Sequence, residues 1–271
     1  MIAPERSDSP PNPGAPHDRA RVGDDQPILE AHQLTKRFHG LVAVNAVGFH
    51  IARGEILGLI GPNGAGKTTL IGLVSGTLEA DAGELRFQGR PILELAAYRR
   101  AHLGIGRTFQ VMKPFPGLTV LENVAIGAMF GNRGGEHRLA RARERARECL
   151  EFVGLGQRIE QRADALGGPD RKRLELAKAL AMQPTLLLCD EVMAGLNHVE
   201  IEEVIEVIRK INARGISLLV IEHVMKAIQS LAHRTLVLHH GEKIADGPTR
   251  DVLADPRVVE AYLGRRKVAA T

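Results

Sequence analysis

Aromatic residues are scarce in this sequence: there is no tryptophan, and Phe, Tyr and Trp together make up 3% of 271 residues. Stacking platforms for nucleic-acid bases are correspondingly few. Charge of one sign is not in excess either, because 36 basic residues face 32 acidic ones, and a net charge of +4 spread this way describes a mixed surface. No nucleic-acid partner is expected. Only two cysteines occur, Cys149 in a helix-like stretch and Cys189 in an apolar run, with neither metal-ligand spacing nor an evident pairing. Both are expected to be packing residues of a reducing compartment. The apolar runs at 56–60, 185–189 and 216–221 have the length of strands, far short of the ~20 residues that cross a bilayer. Residues 1–27 have neither the apolar core of a secretory signal nor the periodicity of an ordered element, and are expected to form a disordered extension. No internal repeat is visible, and no Asn-Lys-x-Asp string for guanine recognition occurs.

What is present has α/β order. A chain of this length can fold as one domain with an inserted subdomain, burying about 70–75% of its unfolded surface. Short apolar segments at 34–38 and 44–51 predict antiparallel strands, followed by a buried strand at 55–60 and another short strand at 83–89. The region 99–166 differs: its Arg, Glu, Ala and Leu at 136–153 have helical spacing, which predicts a helical insertion with a solvated charged face. Beyond it, strands at 185–189, 216–221 and 235–238 alternate with helices at 171–182 and 199–213. In the second of these helices Ile201, Val204, Ile205, Ile208 and Ile211 share a core-facing stripe, and Gly215 supplies a left-handed stop.

The chemistry concentrates at Gly61-Pro62-Asn63-Gly64-Ala65-Gly66-Lys67-Thr68-Thr69, between the strand at 55–60 and a helix-like segment. Glycines here let backbone N–H groups crowd around phosphate oxygens at a helix N-terminus, Lys67 suits the β- and γ-phosphates, and the Thr68 hydroxyl suits Mg²⁺. A nucleoside triphosphate is the expected ligand. The apolar run 186–189 ends in Asp190 and Glu191, a pair able to hold Mg²⁺ and to polarise an attacking water as general base. His223 follows another apolar strand and could donate to the γ-phosphate, although a single histidine among eleven is a weak signal. Gln110, after Arg107-Thr108-Phe109, is equally weak by itself.

Taken in order along 28–264, these motifs resemble the ATP-binding subunits of ABC transporters. The resemblance implies an α/β fold: a P-loop NTPase core with an antiparallel β subdomain (28–98 and 167–264), an inserted α-helical subdomain (99–166) and a short tail (265–271). It implies ATP and Mg²⁺ as cofactors, Gln110 as a glutamine touching metal and water, Asp190 and Glu191 as the metal-holding and catalytic carboxylates, and His223 as a switch histidine. Gly195-Leu196-Asn197 falls in the loop where many members have aspartate, Val192 replaces a usual proline, and Phe38 fits the aromatic that stacks on adenine. On residue type alone the lesser alternative for Phe38 is a core residue of a strand face. The strings Arg107-Thr108-Phe109-Gln110 and Ala194-Gly195-Leu196-Asn197, with the ending at 255–264, are similar to the branched-chain amino acid importers.

One motif departs. The family's Leu-Ser-Gly-Gly-Gln signature falls on Leu166-Gly167-Gly168-Pro169-Asp170, where Gly167 offers no hydroxyl and Pro169 no backbone N–H. In the family this segment covers nucleotide bound to a second subunit, so two donors are missing from the partner's site. A heterodimer with a second ATPase is therefore expected in preference to a homodimer, docked on transmembrane permease subunits at the cytoplasmic face and served indirectly by a solute-binding protein. The implied activity is ATP hydrolysis coupled to transport of branched-chain or other amino acids or related small molecules. Two alternatives remain: a nucleotide-binding regulatory subunit with little turnover, and a non-transport ABC ATPase.

Overall fold

The computed structural model describes residues 26–109 and 114–263. The expectations for the extension before residue 26, for Gln110 and for the tail from residue 264 lie outside the described residues.

In chain order, β1 (Leu29–Phe38) and β2 (Leu41–Ile51) form an antiparallel pair, and β3 (Ile56–Ile60) leads into α1 (Lys67–Ser75). Strand β4 (Ala82–Phe87) pairs antiparallel with β1 and with the two-residue β5 (Arg90–Pro91). After α2 (Ala97–Leu103) and β6 (Ile105–Arg107) come α3 (Val120–Met129), α4 (Leu139–Phe152) and α5 (Gly168–Ala181). The remaining elements are β7 (Leu186–Asp190), α6 (His198–Ala213), β8 (Ser217–Ile221), α7 (Met225–Leu231), β9 (Arg234–His239), β10 (Glu242–Pro248), α8 (Thr249–Ala254) and α9 (Pro256–Leu263).

Among the described residues the central sheet has the order β10-β9-β3-β8-β7-β6, parallel except for β10 at its edge. Its inner strands are apolar on both sides, and side chains on a strand alternate between faces. Leu57, Leu59, Leu186, Leu188, Leu219, Ile221, Leu236 and Leu238 face one core, shared with α1 and the sheet β2-β1-β4-β5. Ile56, Ile60, Leu187, Cys189, Leu218, Val220 and Val237 face the other, shared with α3 to α7. The fold is thus a sheet buried between an antiparallel sheet and a helical layer, as expected for a P-loop NTPase. Both cysteines are buried, and burial pushes the Cys149 thiol up to about 11. No described helix is long and apolar enough to cross a membrane.

The stripe expected at 199–213 is observed, with Ile201, Val204, Ile205, Ile208 and Ile211 buried on α6, and Gly215 takes φ +83° just beyond it. Two expectations need correction. The region 99–166 is not wholly helical, because Ile105–Arg107 pairs in parallel with Leu186–Leu188 and belongs to the central sheet. Three residues are too few to display a period of two. The antiparallel strand expected at 34–38 begins earlier, at Leu29, because pairing with β4 extends it on its other edge.

Arg100 ties α1 to α2. It is almost fully buried, and its guanidinium donates to the carbonyls of Leu73, Val74, Leu93 and Leu95, the first two in the last turn of α1. Burial lowers its pKa to about 10, so it stays charged at neutral pH and complements the negative end of the helix. Replacing Arg100 with Met removes every one of these donors from a dry site. We expect a loss of about 3 kcal/mol in urea unfolding, of which Lys, lacking the planar fork, restores less than half.

Candidate active site

Parallel strands deliver their carboxyl ends to one edge, and in open α/β sheets that edge is where ligands bind. Here β3, β6, β7 and β8 all end there, carrying Gly61, Thr108, Asp190 and Glu222 into four adjacent loops.

The loop after β3 winds around Lys67. Gly66 sits at φ +102° with Ala43 O only 2.3 Å from where a Cβ would lie, and the same test at Gly61 meets Leu238 O at 2.2 Å. Any larger residue at either position would push the loop off the two strands that brace it. Lys67 is buried, and its Nζ donates to Gly61 O at 2.7 Å and Pro62 O at 3.0 Å, which holds it folded over the loop. Burial lowers the pKa of this ammonium, while Glu191 and Asp190 act in the opposite sense. Thr68 is exposed at the first turn of α1.

At the end of β7, Asp190 is 1% exposed. Its Oδ2 accepts from Arg107 Nη2 at 3.0 Å, and its backbone N–H donates to Thr108 Oγ1 at 3.1 Å. Burial raises its pKa, against the lowering effect of the Arg107 hydrogen bond and charge. Asp190 Oδ1 is buried and has no hydrogen-bond partner among the described residues. An orphaned carboxylate oxygen beside a threonine-bearing phosphate loop is a suitable oxygen ligand for a hard divalent cation such as Mg²⁺.

Glu191 turns the chain sharply, with φ +52°, a conformation uncommon for a residue with a side chain. Its turn is fixed from three sides: Glu191 N–H donates to Ile221 O, Lys172 Nζ donates to Glu191 O at 3.1 Å, and Met193 N–H donates to Glu222 Oε1 at 2.9 Å. Its carboxylate is joined to His223 by a 2.6 Å hydrogen bond between Oε1 and Nε2. His223 thus engages Glu191 directly, a contact that the spacing of the two residues does not disclose.

A cavity of about 480 Å³ runs along Asn63 to Thr69 and is bounded by Phe38, Leu41, Val42, Ala43, Glu191 and His240. Phe38, at the end of β1, is 39% exposed with Lys36 Nζ at 5.5 Å from its ring centre. It stands at the mouth of the cavity and not in the core, available to stack on a flat ligand. The P-loop, Asp190, Glu191, His223 and Phe38 are therefore brought together. Residues 166–170 are apart from them: Leu166 is buried, Gly167 caps α5 without a side-chain hydrogen bond, Pro169 lies in the first turn, and Asp170 is tied to Arg158 at 2.8 Å and Arg173 at 3.6 Å. In Gly195-Leu196-Asn197, the Asn197 side chain accepts from Val199 and Glu200 N–H groups as the N-cap of α6.

Sequence reasoning missed Arg107, Thr108, Lys172 and Glu222. The signal for Glu222 was a carboxylate directly after the buried strand 217–221; for Lys172 nothing distinguished it from its basic neighbours Arg171 and Arg173.

The ABC transporter family model matches residues 44–194, and a branched-chain amino acid ATP-binding cassette transporter model matches 242–268. The chain is 36% identical to LivG of Archaeoglobus fulgidus, a probable branched-chain amino acid transport ATP-binding protein, over 88% of this chain and 95% of that one. A nucleotide-free ATP-binding cassette from an ABC transporter superposes with a TM-score of 0.81 at 31% identity, covering 89% of this chain and all of that one. An ATP-binding cassette in its ADP conformation gives 0.80 at 32% identity, with 89% and 100% coverage.

Glu222 yields a test of the electrostatics. Burial, reinforced by the Glu191 charge, pushes its carboxyl up to about 7, against the lowering effects of the Met193 N–H and Lys172. A folded-state value above the ordinary 4.5 means that the proton stabilises the fold; this stability is complete below about pH 4.5 and is lost as pH rises through about 7. Glu222→Gln keeps an acceptor for Met193 but removes the proton, so it is expected to gain up to about 3 kcal/mol over the unmodified protein between pH 5 and pH 8. Urea unfolding at the two values checks this, and an unchanged difference between the two proteins refutes it.

Proposed function

Because the chain belongs to the ATP-binding subunits of ABC transporters and is related to the branched-chain amino acid importer ATPases, we propose that it powers import of branched-chain amino acids or related small molecules by closing on a second ATPase subunit when ATP binds. Subunits of this family hydrolyse ATP and work with transmembrane permease components. The observation that carries the finer reading is the convergence of the P-loop, Asp190 and the hydrogen-bonded pair Glu191–His223 on one sheet edge.

In this reading Gly61 to Thr69 wrap the phosphates, with backbone N–H groups and Lys67 as donors, and Phe38 stacks on adenine. Mg²⁺ supplies charge neutralisation between the phosphate oxygens and would be held by Thr68, Asp190 and Gln110. Glu191 accepts a proton from the attacking water, and His223 orients Glu191 before donating toward the γ-phosphate. Glu191, whose backbone is left-handed just past the apolar strand, lines the cavity that runs along the phosphate loop. The helices between 99 and 166 form the unit that meets the permease, and the protein sits peripherally on the cytoplasmic side.

The start of α5 supports a heterodimer. Its first turn presents no hydroxyl at Gly167 and carries the Asp170 carboxylate, so it is a poor cover for a phosphate bound by another subunit. The same feature favours the second reading, a nucleotide-binding subunit with little turnover.

Two experiments separate these. Lys67→Ala is expected to abolish ATP binding and transport, whereas Glu191→Gln is expected to retain ATP and lower turnover by at least a hundredfold, measured as phosphate release by the assembled complex. Turnover in the unmodified complex no higher than in Glu191→Gln would favour the low-turnover reading. In a complex whose own P-loop is silenced by Lys67→Ala, Gly167→Ser is expected to raise the remaining phosphate release about tenfold or more, because it returns one donor to the partner's site.

A further inference from the structure

We propose that Arg107 is an internal counter-ion that occupies Asp190 in place of the divalent metal and is displaced from it when metal and nucleotide bind. The proposal rests on the reading of Asp190 as a metal ligand and adds a competitor for it.

The ion pair is half made. Arg107 Nη2 lies 3.0 Å from Asp190 Oδ2, in a setting where the side chains are 13% and 1% exposed. A guanidinium and a carboxylate frequently meet through two parallel hydrogen bonds. Here the second bond is missing on both sides: Arg107 Nε and Asp190 Oδ1 are both buried without a partner among the described residues. The fork is turned away because Nη1 is drawn to Ser75 Oγ at 3.1 Å, in the last residue of α1, and to Thr77 Oγ1 at 3.0 Å just beyond it. One carboxylate oxygen is thereby engaged, and the other, Oδ1, is left buried without a hydrogen-bond partner among the described residues. Leaving two buried polar atoms unsatisfied is destabilising, and in native structures such atoms often mark a place where an ion binds or a functional contact is made.

The location gives this pair a second consequence. Arg107 ends β6, and its guanidinium lies 5.2 Å from the ring centre of Phe109, two residues further along. A cation arriving at Asp190 repels this guanidinium, and the strand end that carries it leads directly into the loop after β6. A buried carboxylate with no counter-charge is strongly disfavoured, so Arg107 supplies the counter-charge that holds Asp190 in place when no metal is bound. The same attraction must be overcome when the metal enters, and it therefore lowers the protein's preference for metal-bound over metal-free nucleotide.

The test reads binding and not turnover. The affinity of the full chain for fluorescently labelled ADP is measured with Mg²⁺ and with EDTA, and the ratio of the two is the metal preference. Arg107→Gln is expected to raise that ratio by about tenfold, because the metal no longer displaces a resident cation. Arg107→Lys, which retains the charge, is expected to stay near the ratio of the unmodified protein. Asp190→Asn is expected to collapse the ratio toward one with either residue at 107. An unchanged or lowered ratio in Arg107→Gln, with Asp190→Asn still collapsing it, overturns the role of Arg107 and leaves the metal reading intact. An unchanged ratio in Asp190→Asn overturns the metal reading itself. Should Arg107→Gln fail to fold, the side-chain Nε resonance of Arg107, assigned by its loss in Arg107→Lys, is expected to shift with Mg²⁺ and ADP but not with ADP alone. Identical shifts in both conditions overturn the proposal.

Discussion

The parallel register at Ile221 is the constraint on which the site depends. Ile221 pairs with Leu59 on one side and with Asp190 on the other, so the strand that leads into the phosphate loop and the buried Asp190 carboxylate stand in a single row across the sheet. Glu222 and His223 follow one and two residues later. A slip of one residue between these strands would turn every apolar side chain to the wrong core and move the carboxylates to the opposite face. The two cores on either side of the sheet therefore fix the chemistry as firmly as they fix the fold. Leu186 and Leu188 face one cluster and Leu187 and Cys189 the other, so in this register all four are dry.

Around that row the buried charges are arranged in opposition. Lys67 lies over the phosphate loop with Asp190 and Glu191 within electrostatic reach, Arg107 meets Asp190, Lys172 meets the Glu191 carbonyl, and His223 meets the Glu191 carboxylate. Burial is the main cause that raises Asp190 and Glu222 and lowers Lys67, and the opposite charges beside each of them act against it. Such a network is poised for an incoming triphosphate and cation to redistribute its contacts, since neither added charge meets an uncompensated one.

Much of this was legible in the sequence, for identifiable reasons. The phosphate loop is contiguous, so its glycines and Lys67 announce themselves, and the short apolar runs within β3, β7 and β8 mark buried parallel strands. Glu191 and His223 are each recognisable by themselves, but their 2.6 Å contact links residues in the loops after two different strands and leaves no local trace. Strand β6 escaped because three residues carry no period, and Arg107 because an arginine at a strand end looks like any solvated charge until a carboxylate is seen against it. Phe38 illustrates the converse: its residue type allowed either a core or a binding role, and only its exposure at the cavity mouth distinguishes them.

The Arg100 clamp on α1 has a mechanical meaning. The helix spans only Lys67 to Ser75; its leading end forms the phosphate loop, and its trailing end is bolted to the segment at 93–100 through the carbonyls of Leu73 and Val74. Short, braced at both ends and flanked by Gly76, whose space the guanidinium fills, it has no room to slide along its axis. A ligand pressing on the loop thus meets a rigid anvil, and the recoil must travel sideways into the neighbouring strand ends.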